Sequence, residues 1–390
     1  MKDRYLAQMD DDIVGLVARA RRLAWRYPGY LLTFVRLARY QKKASSIREA
    51  RRADGLTVPA FMIVSVTRRC NLRCHGCYSH VSAGIEASTG RASELDTANL
   101  SRVVREGAEL GVSFMLLAGG EPLVRAVEII GMAGKNPNVI FPVFTNGILI
   151  DEAITQAFKK NRNLIPVLSI EGGKRPTDER RGSGVYDAAL IQMRRLKHAN
   201  VLFGVSFTVM KENVGELTSR EFISGLIDAG AGVFFYNEYT PIEGGTESLC
   251  VDKAARELML RALQERKRQF DAIFLAFPGD EDKFGGCLSA GRGFVHIAPD
   301  GRLEACPFAP FGDSSARDQS LRAALASPTL RAIRSHHDEL SETSLGCALW
   351  NRREWVEGLL AAGSPDNALE RAPDVQPEET VIKISGEVRR

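Results

Sequence analysis

The sequence predicts an α/β chain, with parallel β/α units in the middle, a helical extension before them and a small turn-rich region after them. Three observations predict it. From Phe61 to Asn237, six short apolar runs alternate with stretches of helical periodicity. Upstream, residues 13–52 combine helical apolar spacing with eleven Lys or Arg against a single acid, Glu49. Downstream of Pro278 the periodicity fades into a Gly- and Cys-containing stretch, GGCLSAGRGFVHIAPDGRLEACPF.

Composition narrows the class of protein. With 390 residues, 44% of them hydrophobic and 26% charged, the chain can bury a large core or two smaller ones. No apolar run approaches the roughly 20 residues that span a bilayer, and MKDRYLAQMDDD lacks the apolar centre of a signal peptide. The expected location is the reducing cytoplasm, with peripheral contact at the inner membrane surface as the alternative. Seven cysteines in that compartment point to metal ligation rather than to a disulfide framework.

Taken in order, residues 13–52 form two helices parted at Pro28-Gly29, the second carrying Leu31, Phe34, Val35 and Ala38 at helical spacing. Asp54-Gly55 ends this extension. The expected strands are Met62–Val66, Ser113–Leu117, Ile140–Phe144, Leu164–Ile170, Leu202–Val209 and Val233–Asn237. Helices are expected between them over Leu95–Leu110, Ala126–Gly131, Asp151–Lys160, Tyr186–His198 and Ser219–Ala229, and beyond them over Ala254–Arg268. A barrel and an open doubly wound sheet both fit this alternation, but no G-x-G-x-x-G turn supports a dinucleotide fold. Phe294–Ile297 and Leu303–Ala305 flank Pro299-Asp300-Gly301 and predict a hairpin. The Pro-, Glu- and Asp-rich tail after Gly363 predicts loose order. The expected divisions are 1–55, 56–275, 276–362 and 363–390.

The most informative stretch is VTRRCNLRCHGCYSH, in which Cys70, Cys74 and Cys77 fall within eight residues directly after the first strand. Functional loops of β/α proteins lie at such strand ends, and these surroundings are too polar for a core. Thiolates so spaced can converge on one soft metal centre. A single zinc would need a fourth ligand, for which His75 and His80 are at hand.

The C-x3-C-x2-C spacing after a first strand resembles that of the radical S-adenosylmethionine (SAM) enzymes. The resemblance implies a partial (β/α)6 TIM-like barrel with an N-terminal helical extension and a small C-terminal iron–sulfur domain. It also implies that Cys70, Cys74 and Cys77 hold three irons of a [4Fe-4S] cluster, with SAM on the fourth. Gly119-Gly120-Glu121-Pro122 resembles the family's GGEP motif, which binds the SAM amino group. Thr145 and Asn146, in FTNG, resemble its TNG, where they order the cofactor or simply cap the next helix. Ser169 and Glu171 resemble S-x-D-G, with Glu in place of Asp. Arg181 is placed to pair with the SAM carboxylate or to be a solvated charge, and Ser206 and Asn213 fall where the family puts polar cofactor contacts. In place of the aromatic residue common before the third cysteine stands Gly76, with Tyr78 just after.

By the resemblance, reductive cleavage of SAM gives methionine and a 5'-deoxyadenosyl radical that removes a substrate hydrogen. The protein's part is orientation and exclusion of competitors. A ferredoxin or flavodoxin is the implied electron donor. Tyr236, Glu238, Tyr239 and Glu243, in FFYNEYTPIEGG, are the candidate catalytic side chains, because strand-end polar residues of a barrel face the active-site mouth. Packing of the rings and solvation of the carboxylates is the alternative for each.

Four cysteines remain. Cys287 and Cys306 meet if the Asp300-Gly301 hairpin forms, and Gly301 to Cys306 preserves the G-x4-C of the auxiliary-cluster domains called SPASM or Twitch. With Cys347 the only cysteine downstream, the shorter Twitch-like form fits, holding one auxiliary [4Fe-4S] cluster. Cys250 is the candidate fourth ligand; His336, His337, substrate or solvent are the alternatives, and a structural zinc is the rival. Three functions are compatible: radical modification of a peptide or natural product, radical chemistry on a lipid or membrane-associated substrate, or a non-enzymatic iron–sulfur carrier. Residues 13–52 lack the strands of a leader-binding winged helix, and no further β/α domain precedes the barrel as a cobalamin-dependent enzyme would need. Nucleic acid is disfavoured, because the basic block has no stacking aromatics on strands.

Overall fold

In the computed structural model, residues 2–81, 93–277, 279, 281–340 and 347–361 are described. The expected tail, 363–390, lies outside them. Six parallel strands open the β/α portion: β1 (Phe61–Ser65), β2 (Phe114–Ala118), β3 (Phe141–Thr145), β4 (Leu164–Ser169), β5 (Gly204–Val209) and β6 (Val233–Glu238). A seventh, β7 (Ile273–Phe277), extends the sheet beyond β6. The hairpin β8 (Phe294–Ile297) and β9 (Arg302–Glu304) returns to the other edge, where β8 pairs parallel to β1 with Phe61 opposite Phe294. The order is β10-β9-β8-β1-β2-β3-β4-β5-β6-β7, with β10 (Ser314–Ser315) antiparallel to β9. The result is a partial TIM-like barrel whose parallel run ends on β7 at one side and β8 at the other.

Helices connect the strands on the outer face: α3 (Thr97–Leu110), α4 (Ala126–Lys135), α5 (Glu152–Lys160), the pair α6 (Lys174–Arg181) and α7 (Val185–His198), the pair α8 (Val214–Thr218) and α9 (Arg220–Ala229), and α10 (Lys253–Gln269). Their starts are written in the sequence. Asp96, Asp151, Ser219 and Asp252 accept hydrogen bonds from the backbone N–H three residues on, satisfying donors that a first turn leaves free. The core residues Met62, Val64, Phe141, Phe203 and Phe207 are fully buried, each contributing roughly 1.5–3 kcal/mol through burial.

The N-terminal extension is α1 (Lys2–Ala20), two short 3-10 turns and α2 (Leu31–Ala53), so the first helix begins before residue 13. Leu23, Tyr27, Tyr30, Phe34 and Leu37 are buried. They meet the end of the barrel where the strands begin. Leu202 N–H donates to the Tyr30 hydroxyl at 3.1 Å, Tyr27 donates to the Gly230 carbonyl and Arg26 to that of Ile227. Burial pushes the Tyr30 phenol up to about 12, only partly offset by the Leu202 N–H and the Arg162 charge. Arg48, fully buried, is satisfied by the Asp10 carboxylate and by the Gly111 carbonyl at 2.6 Å. Without such partners its charge would be too costly to bury. Among the described residues no helix is long and apolar enough to cross a membrane.

Candidate active site

The loop after β1 carries the first three cysteines, and its shape is set by the loop after β2. Gly120 N–H donates to the Thr67 carbonyl at 2.7 Å and Glu121 N–H to that of Arg69 at 2.8 Å. The two chains run so close that a Cβ on Gly119 would stand 2.4 Å from Thr67 O, and one on Gly120 2.2 Å from Arg69 O. Only glycine fits either place. On the other side, His75 N–H donates to the Arg180 carbonyl at 2.9 Å.

Glu121 is buried at the centre of this region. Its Oε1 accepts from Thr145 Oγ1 at 2.7 Å and Leu123 N–H at 3.0 Å, and its Oε2 from Asn146 N–H at 2.9 Å. Burial raises its carboxyl above the usual carboxylate range against these bonds. Asn146 Nδ2 donates to Asn71 Oδ1 at 2.8 Å, tying the end of β3 to the cysteine loop. Pro122 opens the short 3-10 turn that Glu121 caps.

Glu171 lies at the end of β4, fully buried. Arg180 Nη1 donates to its Oε1 at 2.5 Å, Arg181 Nε to the same oxygen at 2.7 Å, and Thr208 N–H to Oε2 at 2.8 Å. This carboxylate is therefore committed to holding two guanidinium groups beside the cysteines. Burial raises the Cys74 thiol, while Arg181 and Arg180 pull it down. Burial also raises Cys70, and Glu121, Cys74 and Cys77 add to the effect, whereas Leu72 N–H opposes it. The three half-buried thiols thus share one electrostatic neighbourhood, with cations ready to offset thiolate charge.

Gly76 has φ +62, and a Cβ there would stand 2.6 Å from the Tyr239 hydroxyl. The space beside the third cysteine is filled by the Tyr239 ring, one residue past β6, and Gly76 makes room for it. Tyr78, on the other side of Cys77, packs edge-on to Phe308 at 5.3 Å between centroids, and burial lifts its phenol strongly.

Cys287, Cys306 and Cys347 come together in the C-terminal region. Cys306 donates a hydrogen bond to Cys347, which raises the former thiol and lowers the latter, and burial and the nearby Cys347 charge raise Cys287. Trp350 N–H also donates to Cys347 Sγ at 3.4 Å. Cys250 is not brought to them: the charged groups around its thiol are Glu247, Glu238 and Arg256. Among the described residues no three Cys, His, Asp or Glu side chains are drawn together as tightly as one ion requires. A polynuclear cluster spaces its thiolates more widely.

Both cysteine groups line one cavity of about 970 Å³. Gly119, Gly120, Glu121, Thr145, Asn146, Ser169, Ser206 and Arg181 line it too, with the Ser169 and Ser206 hydroxyls 3.1 Å apart. Of the expected catalytic side chains, Glu238 and Tyr239 reach it. Glu238 is locked by Arg256 (Nε to Oε1 2.7 Å), and Tyr239 donates to Thr246 Oγ1 at 3.0 Å. Tyr236 and Glu243 correct the expectation. Tyr236 is buried away from the cavity against Phe207, its hydroxyl donating to the Leu217 carbonyl at 2.8 Å, and Glu243 is exposed. Asn213 is also redirected, since its amide donates to the Glu171 and Thr208 carbonyls and its Oδ1 accepts from Met210 N–H. Sequence reasoning missed the cavity wall formed by α1, through Met9, Asp12, Ile13 and Leu16.

A barrel with three cysteines on its first strand-end loop, a glycine cradle beside them and a cavity below defines a class of cofactor-dependent enzyme. Residues 64–222 match the profile of the Radical SAM superfamily. It is 27% identical over 291 residues to the AdoMet-dependent heme synthase of Methanosarcina barkeri, spanning 68% of this chain and 81% of that one. It is 26% identical over 258 residues to the PqqA peptide cyclase of Gluconobacter oxydans, spanning 64% and 70%. Among solved structures, Streptococcus suis SuiB bound to S-adenosylmethionine superposes with a TM-score of 0.59 at 16% identity, over 84% of this chain and 78% of SuiB. At that identity the likeness is one of fold. The protein is an enzyme, and the superfamily it matches implies a [4Fe-4S] cluster and SAM as cofactors.

Proposed function

We propose that the chain modifies a bulky, largely apolar natural product by hydrogen abstraction, with the substrate held between two cluster sites. One observation carries this reading: both groups of three cysteines line the same cavity, whose walls include Phe61, Ile63, Leu116, Phe144, Leu275 and Phe294. Cys70, Cys74 and Cys77 would hold the first cluster, and Cys287, Cys306 and Cys347 an auxiliary one. When bound, the first cluster and SAM supply a 5'-deoxyadenosyl radical that takes a hydrogen atom from the substrate.

The chain's own residues bind and orient. Gly119 and Gly120 admit a ligand close to backbone, and Ser169 and Ser206 offer paired hydroxyls on the cavity wall. Arg180 and Arg181, held by Glu171, counter negative charge at the thiolates and at a carboxylate bound nearby. The Glu238–Arg256 pair keeps a buried charge compensated on the substrate side, and apolar walls exclude water from the reacting centre.

A peptide substrate is the second reading. It is favoured by the match to PqqA peptide cyclase and by the similar fold of SuiB, which has been solved with its precursor peptide SuiA. A small iron–sulfur or flavin protein would supply electrons to either.

Anaerobically reconstituted protein should hold about eight irons per chain, four per cubane, and form 5'-deoxyadenosine from SAM with dithionite. Replacing Cys287 and Cys306 by Ala should halve the iron, whereas replacing Cys70, Cys74 and Cys77 should also abolish SAM cleavage. Iron at half the expected level, unchanged by Cys287→Ala, would remove the auxiliary cluster. No 5'-deoxyadenosine from the fully loaded protein would remove the radical reading.

A further inference from the structure

The barrel does not use all of the N-terminal pair. Trp25, Leu31 and Leu32 are 92, 50 and 82% exposed, three large apolar side chains within eight residues, while their neighbours Leu23, Tyr27, Tyr30 and Phe34 are buried. The docking face and this outer patch are therefore separate. Along α2, Leu32, Arg36, Arg39 and Lys43 recur at helical spacing and are all exposed, so one outward stripe passes from apolar to cationic. Lys42 and Arg22 are exposed as well. Residues 13–48 contain no Asp or Glu to soften this charge.

The cavity comes to the surface in the same region. Its cysteines lie where the strands end; its opposite wall is formed by Arg22, Leu23, Lys267 and Asp271, where Leu23 packs on Leu202 before β5. Arg22, Lys267 and Asp271 are exposed, so this far end meets solvent three residues from Trp25.

We propose that this surface docks on an anionic lipid bilayer, and that the substrate is a membrane-resident amphiphile entering the cavity from that side. Trp25, Leu31 and Leu32 are suited to the interfacial zone, where an aromatic ring and short apolar anchors leave water without crossing the membrane. The surrounding Arg and Lys meet headgroup phosphates, each contact weakening with salt. A second copy of the chain is the poorer occupant, because a two-fold contact would set the same cationic stripe against itself. The substrate part of this inference rests on the reading that the cavity holds a bulky apolar molecule; the docking part does not.

Co-sedimentation of the full-length, anaerobically reconstituted protein with vesicles tests it without turnover. Binding is expected to vesicles of phosphatidylglycerol and phosphatidylcholine at low salt, and at least tenfold weaker to pure phosphatidylcholine or at high salt. Trp25→Ser with Leu31→Ser and Leu32→Ser, and separately Arg36→Ser with Arg39→Ser and Lys43→Ser, should each lose tenfold or more while melting as the parent does. Equal binding to neutral vesicles would overturn the proposal, as would undiminished binding by either variant. A dimer that disperses on Leu32→Ser, without vesicle binding, would assign the patch to a second copy. Failure to bind vesicles with 5'-deoxyadenosine still formed sinks the docking surface and the membrane substrate but leaves the catalytic reading; binding without SAM cleavage sinks the catalytic reading and the substrate with it but leaves the docking surface.

Discussion

Glu171 shows how one carboxylate can serve a site without touching its ligand. Each oxygen is taken, one by Arg180 and Arg181 and the other by Thr208 N–H. Glu171→Gln keeps the shape but leaves two buried guanidinium groups facing a neutral amide. A loss of about 3 kcal/mol in anaerobic denaturant unfolding is expected, in the range for breaking a buried pair, together with weaker SAM binding. Stability within 0.5 kcal/mol of the parent (about the effect of an ordinary surface change) would refute that role. The position was legible from the strand-end motif. Its partners were not, because α6 brings Arg180 and Arg181 back over the strand, and no local spacing announces that contact. Tyr236 and Asn213 misled for a related reason: polar residues near a strand end can point outward, or be spent on backbone, as readily as face the mouth.

Among elements, the β8–β9 hairpin joins the two cysteine regions. Asp300, in its turn, accepts from Arg302 N–H at 3.1 Å and Arg302 Nε at 3.0 Å, and Arg68 of the first cysteine loop lies 3.3 Å away. Burial alone would raise its carboxyl, but the Arg302 backbone bond, the Arg302 charge and Arg68 outweigh it and hold the group below its usual range. A depressed carboxylate contributes stability that is present above its unfolded value and lost as pH falls through the folded value. Asp300→Asn should therefore cost about 1 kcal/mol near neutral pH, discounted for partly open guanidinium partners. Thermal melts should show that difference closing below about pH 4, the ordinary Asp value. A constant difference across that range would mean that shape, not charge, is what Asp300 supplies. The hairpin could be read from Pro299-Asp300-Gly301, and the six β/α units from their alternation, with strand ends shifted by a residue or two and the helix from Ala126 running on to Lys135, four residues past its expected end. IFLAF, the strand β7, escaped because a run of five apolar residues soon after a long helix has no alternation to tell a strand from buried helix.

For the whole molecule, the N-terminal pair is part of the barrel rather than an attachment to it. Met9, Ile13 and Val17 of α1 pack with Phe114 and Ile140, and Tyr30 and Phe34 with Leu202. Removing residues 1–55 would uncover those partners together and leave the cavity without its α1 wall. The truncated chain should be insoluble or aggregate on size exclusion; a soluble monomer melting with the parent would show that the pair is dispensable. Composition made the basic block visible and its spacing showed an apolar docking face. Which residues would receive that face was not legible, since they come from several strands spread along the chain, from Ala60 and Phe61 to Leu202.

The return of β8 to β1 sets an order of events during synthesis. Phe61 pairs with Phe294, and at ribosomal rates of about 5–20 residues per second the interval between them lasts on the order of tens of seconds. Throughout it, β1 keeps an open edge, and the loop bearing Cys70, Cys74 and Cys77 has only one flank of its enclosure. The second set of thiols, beginning at Cys287, leaves the ribosome at the close of that interval. A nascent chain is thus exposed to oxidation and to strand addition throughout that interval, and cluster insertion into a finished cavity must wait until β8 and Cys347 have been made.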